Sequence, residues 1–228
     1  MHNFVFGIFP YIAITVMILG SIARYDRDPF TWKSKSSQLL RKRQFVIGSV
    51  LFHVGVLIIF FGHLVGLLTP KEVFYAFGIS SGAKQVLAVV AGGIAGVMAL
   101  IGGVILLNRR FTDPRIKAHS SFGDNLVISL LVAQLVLGLA SVVPTMGHLD
   151  GSEMLKFMGW AQGIVTFQAG SAAHIVDVHW IYKMHIFLGL VIFAVFPFTR
   201  LVHIVSAPVR YLWRPGYQIV RTRKHPAE

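Results

Sequence analysis

Five runs of roughly 20 apolar residues limit what this chain can become. As α-helix, each is long enough to cross a hydrocarbon layer about 30 Å thick. The runs cover residues 4–23, 45–68, 86–107, 125–143 and 181–205. The intervals between them leave no room for a water-soluble domain. Mean hydropathy is +0.69 and only 13% of residues are charged, which is too apolar for an ordinary soluble chain. The expected fold class is therefore all-α. The chain reads as one integral membrane bundle over residues 1–228, with residues 206–228 as a tail beyond the last span. No basic stretch precedes the first run, so it reads as a true span and not as a cleaved signal peptide.

A net charge of +12 would suggest nucleic acid in a soluble protein, but here the positions of the charges matter more. Seven basic residues lie in 24–43: Arg24, Arg27, Lys33, Lys35, Arg41, Lys42 and Arg43. Four lie in 108–122: Arg109, Arg110, Arg115 and Lys117. Six more follow from Arg200 onward: Arg200, Arg210, Arg214, Arg221, Arg223 and Lys224. The remaining four, Lys71, Lys84, Lys156 and Lys183, belong to the other two connections. With five spans, these two groups of connections fall on opposite sides. The basic side is expected to be cytoplasmic, which places the N-terminus outside and the C-terminus in the cytoplasm. The charge thus reads as a topology signal, and no nucleic-acid partner is expected.

The third run contains AGGIAGVMALIGG, where Gly92 and Gly96 have the spacing that lets helices approach closely. The last outer connection is long. Its segment DGSEMLKFMGWAQGIVTF opens with Asp150 and has Glu153 three residues later, a cap-like start to a helix. Phe157, Trp160 and Phe167 would then mark an interfacial helix that covers the outer face.

The chemistry rests on histidine. There are no cysteines, so thiolate chemistry and cysteine-ligated clusters are excluded. Of ten histidines, His2, His119, His148, His174, His179 and His225 lie in connections or tails. His53, His63, His185 and His203 lie within spans two and five. Ionisable groups inside a membrane are costly and are functional by default. His53 and His63 differ by about 15 Å in height, and His185 and His203 by about 27 Å if their span is continuous α-helix. The two spans run antiparallel, so His53 pairs with His203 near the cytoplasmic side and His63 with His185 near the outer side. Two histidine pairs at two depths suit two bis-histidine haems. Pro197, between His185 and His203, can kink the span and absorb part of the unequal height. Zinc or copper would gather three or four ligands at one point. A proton relay would use carboxylates, and the interiors of the runs contain none. Gly55, Gly62, Gly66 and Gly189 lie near the histidines and would leave helix surface for a flat macrocycle. Arg110, Arg200 and Arg210 sit where haem propionates would be paired, or where arginine simply anchors the cytoplasmic ends.

Four segments carry a resemblance: LFHVGVLIIFFGHLVGLLTP (51–70), DGSEMLKFMGWAQGIVTF (150–167), RYDRDPFTW (24–32) and FPFTRLVHIVSAPV (196–209). The chain resembles, over nearly its whole length, the gamma subunit of membrane-bound respiratory nitrate reductase, a five-span dihaem cytochrome b. The spacings His-x9-His and His-x17-His support the likeness, whereas AAHIVDV (172–178) departs from the family pattern. The resemblance implies a prokaryotic cytoplasmic membrane and the oxidation of a membrane quinol near the outer side. It implies two b haems, the inner on His53 and His203 and the outer on His63 and His185. It also implies partners: an iron–sulfur beta subunit, and a molybdenum alpha subunit that reduces nitrate to nitrite. The tail 206–228 would contact those subunits. Lys84 aligns with the family's quinol-site lysine after a one-residue shift relative to His63, and Gly62 would let the quinol ring approach beside His63. Two rival readings remain open. One is the dihaem quinol-reactive anchor of another complex (a hydrogenase, formate dehydrogenase or heterodisulfide-reductase-like assembly). The other is a haemless channel or transporter whose histidines line a path.

Overall fold

The protein is described here by a computed structural model that covers residues 1–32, 37 and 39–206. Among the described residues every regular element is helical and there is no strand. Five helices are long and apolar enough to cross a membrane: Phe4–Arg27, Lys42–Leu68, Ser81–Thr112, Phe122–Thr145 and Trp180–Phe198. All five expected spans are present, and their ends differ for physical reasons. Helix formation does not stop at the edge of hydrocarbon. Polar residues such as Lys42 and Asn108 continue the second and third helices past their apolar runs.

The first span opens with a π-helical turn, Phe4–Ile8, and continues as α1 (Phe9–Arg27). The second is α2 (Lys42–Leu68) and the third α4 (Ser81–Thr112), with the short α3 (Lys71–Ala76) between them. The short α5 (Pro114–Ala118) leads into α6 (Phe122–Thr145), the fourth span. α6 starts on a full capping box: the Ser121 hydroxyl accepts from the Asp124 N–H, and the Asp124 carboxylate accepts from the Ser121 N–H. α7 (Ser152–Val165) is the expected helix of the long connection, and α8 (Trp180–Val195) begins the fifth span.

α2 packs on α4, α4 on α6, α6 on α8, and α8 on α1, while α7 lies across α2 and α4 as part of a lid. The tightest approach is α2 on α4. A Cβ added at Gly55 would stand 2.5 Å from the Ala95 carbonyl oxygen, and one at Gly102 would collide with the backbone at Phe52. Gly55 therefore permits helix contact and does not clear a surface for a macrocycle. The expected Gly92–Gly96 seam is likewise displaced. Gly96 faces Leu139 of α6, Gly92 faces open space, and the seam with α2 uses Ala95, Ala99 and Gly102.

The start of α7 also differs from expectation. Its N-cap is Gly151, at φ 87°, with no side-chain cap. The Asp150 carboxylate instead accepts from the Ser152 N–H and hydroxyl, and Glu153 pairs with Lys156 at 2.6 Å. The lid end of the bundle is tied together where proline leaves carbonyls without a helical partner. Pro10 has no N–H to return to the Phe6 carbonyl, and the Trp160 indole donates to it at 2.8 Å. Pro70 leaves the Gly66 carbonyl in the same position, and the Lys84 ammonium donates to it at 2.6 Å. Gln162 donates to the Leu67 and Thr69 carbonyls at 3.0 and 3.2 Å. Phe157 packs on Tyr182, and Phe167 stacks on Tyr11.

The fifth span is not one α-helix through Val205. α8 ends at Val195, and two 3-10 turns follow, Phe196–Phe198 and Arg200–Ile204. Thr199 joins them in extended geometry (φ −120°, ψ −178°). Pro197 lacks the N–H to continue α8, and Gly20 of α1 makes room for its ring, since an added Cβ would lie 2.8 Å from Pro197 Cγ. Phe196, Leu201 and Val202 bury themselves against Val127 and Ile192.

Candidate cofactor site

The break in the fifth span accounts for the unequal histidine spacing. Val195 lies ten residues beyond His185, the same separation as His53 from His63, so the two helical rails match at about 15 Å. The next eight residues bend instead of climbing. The His53 and His203 rings end up with centroids 6.3 Å apart, and those of His63 and His185 6.2 Å apart. The first pair lies at the arginine-rich end of the bundle and the second at the lid end. His53 and His63 are exposed to the space beside α2, while His185 and His203 are partly covered.

These distances provide a test of fit. A metal held by one nitrogen from each facing ring, at about 2 Å per bond, places the ring centres about 6 Å apart. The nitrogens are also suitably assigned. His53 Nδ1 lies 2.7 Å from the Ser49 carbonyl, His63 Nδ1 lies 2.8 Å from the Ile59 carbonyl, and His203 Nδ1 bonds the Arg200 carbonyl. A ring that donates from Nδ1 to a carbonyl leaves Nε2 as a neutral, well-oriented ligand. The residues present thus fit two bis-imidazole iron sites. Among the described residues no three His, Asp or Glu side chains converge as a zinc site would require.

His185 is held differently. The Gln134 amide of α6 donates to the His185 carbonyl at 3.1 Å and lies 3.4 Å from its Nε2. His185 Nδ1 and Gln134 Oε1 are both buried without a protein partner. One turn further along α6, Gly138 accommodates the ring, because an added Cβ would lie 3.0 Å from His185 Cε1. Neither residue stood out in the sequence. An amide and a glycine inside an apolar run resemble ordinary helix packing.

Lys84 is buried at the lid end. Besides the Gly66 carbonyl, its ammonium meets Met158 Sδ at 3.0 Å and the Phe74 ring at 3.8 Å. It lines a small cavity with Phe74, Tyr75, Ile79 and Met158. Gly66 is one turn past His63, so Lys84 is tied to the same end of α2. An added Cβ at Gly62 would meet nothing within 4 Å. Gly66 is similarly clear, whereas Gly189 faces Gln134.

At the opposite end a charged network replaces the lid. Asp124 bonds Arg200 Nε at 2.8 Å and lies 3.7 Å from Arg110. Two of the three arginines expected near propionates, Arg110 and Arg200, thus share a buried carboxylate, 4% exposed. Asp124 lies one residue before the apolar run of its span, so the run's pattern does not mark it. Arg210 lies outside the described residues, as do residues 207–228 of the expected tail. Arg41 bonds Asp113 at 2.8 Å, and Arg109 donates to the carbonyls of Ser37 and Leu40. Burial opposes the Asp113 charge. The backbone N–H groups of Ile116 and Arg115 and the guanidiniums of Arg41 and Arg115 outweigh that, holding its carboxyl below the ordinary range.

The histidines of the connections take smaller parts. His2 bonds the Ala172 carbonyl at 2.9 Å, His174 covers Gly159, and His179 caps α8 by accepting from the Ile181 N–H.

Fold and geometry define a multi-span helical bundle with two facing histidine pairs at two depths. The chain belongs to the nitrate reductase gamma subunit family, whose model matches residues 2–223. It is 50% identical over 224 residues to the respiratory nitrate reductase 2 gamma chain of Escherichia coli (strain K12), covering 98% of each chain. It is 41% identical over 220 residues to the nitrate reductase gamma chain of Bacillus subtilis (strain 168), covering 95% of this chain and 96% of that one. It is 26% identical over 156 residues to an Hdr-like menaquinol oxidoreductase cytochrome b-like subunit of Archaeoglobus profundus, covering 68% of this chain and 45% of that one.

Proposed function

We propose that this chain is the membrane-anchoring, quinol-oxidising subunit of a respiratory nitrate reductase, with the N-terminus outside and the C-terminus in the cytoplasm of a prokaryotic cytoplasmic membrane. The observation that carries the reading is the pair of facing imidazole sets, 6.3 and 6.2 Å between ring centres, at the two ends of the bundle. Two b haems, one on His53 and His203 and one on His63 and His185, would supply one-electron transfer between membrane quinol and the cytoplasmic side. The protein's part is placement. The Ser49, Ile59 and Arg200 carbonyls fix the tautomer of three ligands and raise their basicity.

Quinol oxidation belongs at the lid end. There Lys84 lines a small cavity with Phe74 and Met158, and Gly62 leaves the helix bare beside His63. A buried ammonium can donate to a quinol oxygen and stabilise negative charge as it develops there. The iron–sulfur beta subunit and the molybdenum alpha subunit would dock at the arginine-rich end, where the concentration of basic residues marks the cytoplasmic side. The name of the archaeal relative, a menaquinol oxidoreductase subunit, favours quinol as donor, but its 26% identity favours nitrate reductase over a heterodisulfide-reductase-like complex.

The test is a reduced-minus-oxidised visible spectrum of native membranes, followed by quinol addition. The expected result is two b-type components, both reduced by quinol and reoxidised by nitrate in the presence of the partner subunits. Absence of b-haem bands would leave a channel or transporter as the better reading.

A further inference from the structure

We propose that Asp124 and Arg24 form a two-point clamp that positions His203, and that this clamp sets the properties of the histidine pair at the arginine-rich end without affecting the other pair. The inference rests on the haem reading above and goes beyond it, to residues that touch neither imidazole.

The need for a clamp follows from the break. His203 is not carried on a continuous α-helix as His53, His63 and His185 are. It sits on a five-residue 3-10 turn, Arg200–Ile204, joined to α8 through extended Thr199. Short 3-10 turns have poorer hydrogen-bond geometry than α-helix and rely on neighbours for rigidity. Two side chains from other spans act on this segment. Arg24, near the end of α1, donates from one guanidinium nitrogen to the carbonyls of Pro197 and Thr199 at 2.7 and 2.8 Å, and from another to the Thr31 carbonyl at 2.9 Å. A planar guanidinium suits several acceptors at once, and Arg24 spans both sides of the break. Asp124, in the first turn of α6, takes the Arg200 side chain at 2.8 Å. Arg200 supplies the backbone carbonyl that accepts from His203 Nδ1. The chain of control therefore runs from carboxylate to Arg200, from the Arg200 carbonyl to the imidazole, and from there to the orientation and basicity of its ligating nitrogen. Asp124 is itself fixed, because its carboxylate completes the capping box with Ser121. Among the described residues the lid-end pair has no counterpart to this clamp. His185 lies mid-helix and is adjusted by Gln134 and Gly138.

Both residues are positioning residues, so the test reads potential and spectrum as well as turnover. Asp124→Asn, Asp124→Glu and Arg24→Gln are made in the full chain, co-expressed with its partner subunits. Each haem is then titrated by optical redox potentiometry in membranes. In Asp124→Asn and Arg24→Gln the component assigned by His203→Ala should shift its midpoint or broaden, while the component assigned by His185→Ala keeps its midpoint and amplitude. Asp124→Glu keeps the charge and should restore most of the wild-type midpoint. An unchanged His203-linked component would overturn the proposal, as would equal loss of both components, which would mark these residues as general fold supports. Wild-type membranes with no haem would overturn the haem reading itself and this inference with it. Normal wild-type haems with indifferent variants would overturn the inference alone.

Discussion

The two histidine pairs are nearly identical in separation and quite different in support. At the lid end both imidazoles ride on straight helices, and the neighbours adjust them through an uncharged amide, a glycine and the carbonyls of α2. At the arginine-rich end one imidazole rides on a helix and the other on a turn beyond a break, held by Arg24 and the Asp124–Arg200 pair. A helix sets the height of a side chain by counting residues. A broken segment cannot do so, and its side chains are placed by tertiary contacts. One geometry is therefore written locally and the other non-locally, and the two ends should respond to different kinds of damage.

The largest expected effect comes from a change that ignores the distinction. Gly55→Leu drives a side chain into the Ala95 carbonyl and Ala99, and overpacking against backbone costs about 3 kcal/mol or more. Both haem signals and the yield of folded subunit in membranes should fall together. Loss of one signal alone would show that α2 and α4 are not a common frame. Next, Gly138→Val pushes on the His185 ring and should disturb only the lid-end component, seen as a changed line shape in low-temperature spectra. Lys84→Met then removes the donor to Gly66, and the proposed donor to quinol, while leaving every histidine in place. A hydrogen bond from a charged group is worth about 1.5–3 kcal/mol, so quinol oxidation should slow by about 10- to 100-fold with haem content retained. Unchanged turnover would reduce Lys84 to a helix-end cap.

The smallest effect is acid-dependent and confined to the arginine-rich end. The Asp113 carboxyl is held below its ordinary range, so its contribution to folding is present above the unfolded value near pH 4. That contribution is lost as pH falls through the lower folded value. Asp113→Asn should lower the detergent melting temperature at neutral pH, where the carboxylate contributes, and converge with the parent below about pH 4, which flattens the acid limb. An identical acid limb in the variant would remove Asp113 from the stability of that end.

The same division explains what the sequence disclosed. The five spans were legible because lipid demands long apolar runs, and the pairing of histidines followed from antiparallel direction. The end of α8 was not legible. FPFTRLVHIV is as apolar as a helix interior, and hydropathy does not distinguish a helix from two short turns buried against Val127 and Ile192. Pro197 marked a kink, but the return of His203 to the level of His53 depends on Thr199 and on contacts with α1 and α6. Asp124 lies just outside its apolar run, and only the folded chain brings Arg200, 76 residues away, to it. Nearness to the histidines singles out Gly55 and four-residue spacing singles out Gly92, whereas the face each one presents is fixed by the helix on the other side.

The central claim is that four histidines form two independent ligand pairs, each joining α2 to the fifth span. The most direct measurement is the reduced-minus-oxidised spectrum of the four single alanine variants in native membranes. His53→Ala and His203→Ala should lose one and the same component, and His63→Ala and His185→Ala the other. Loss shared instead by His53→Ala and His63→Ala, or four unrelated losses, would contradict it.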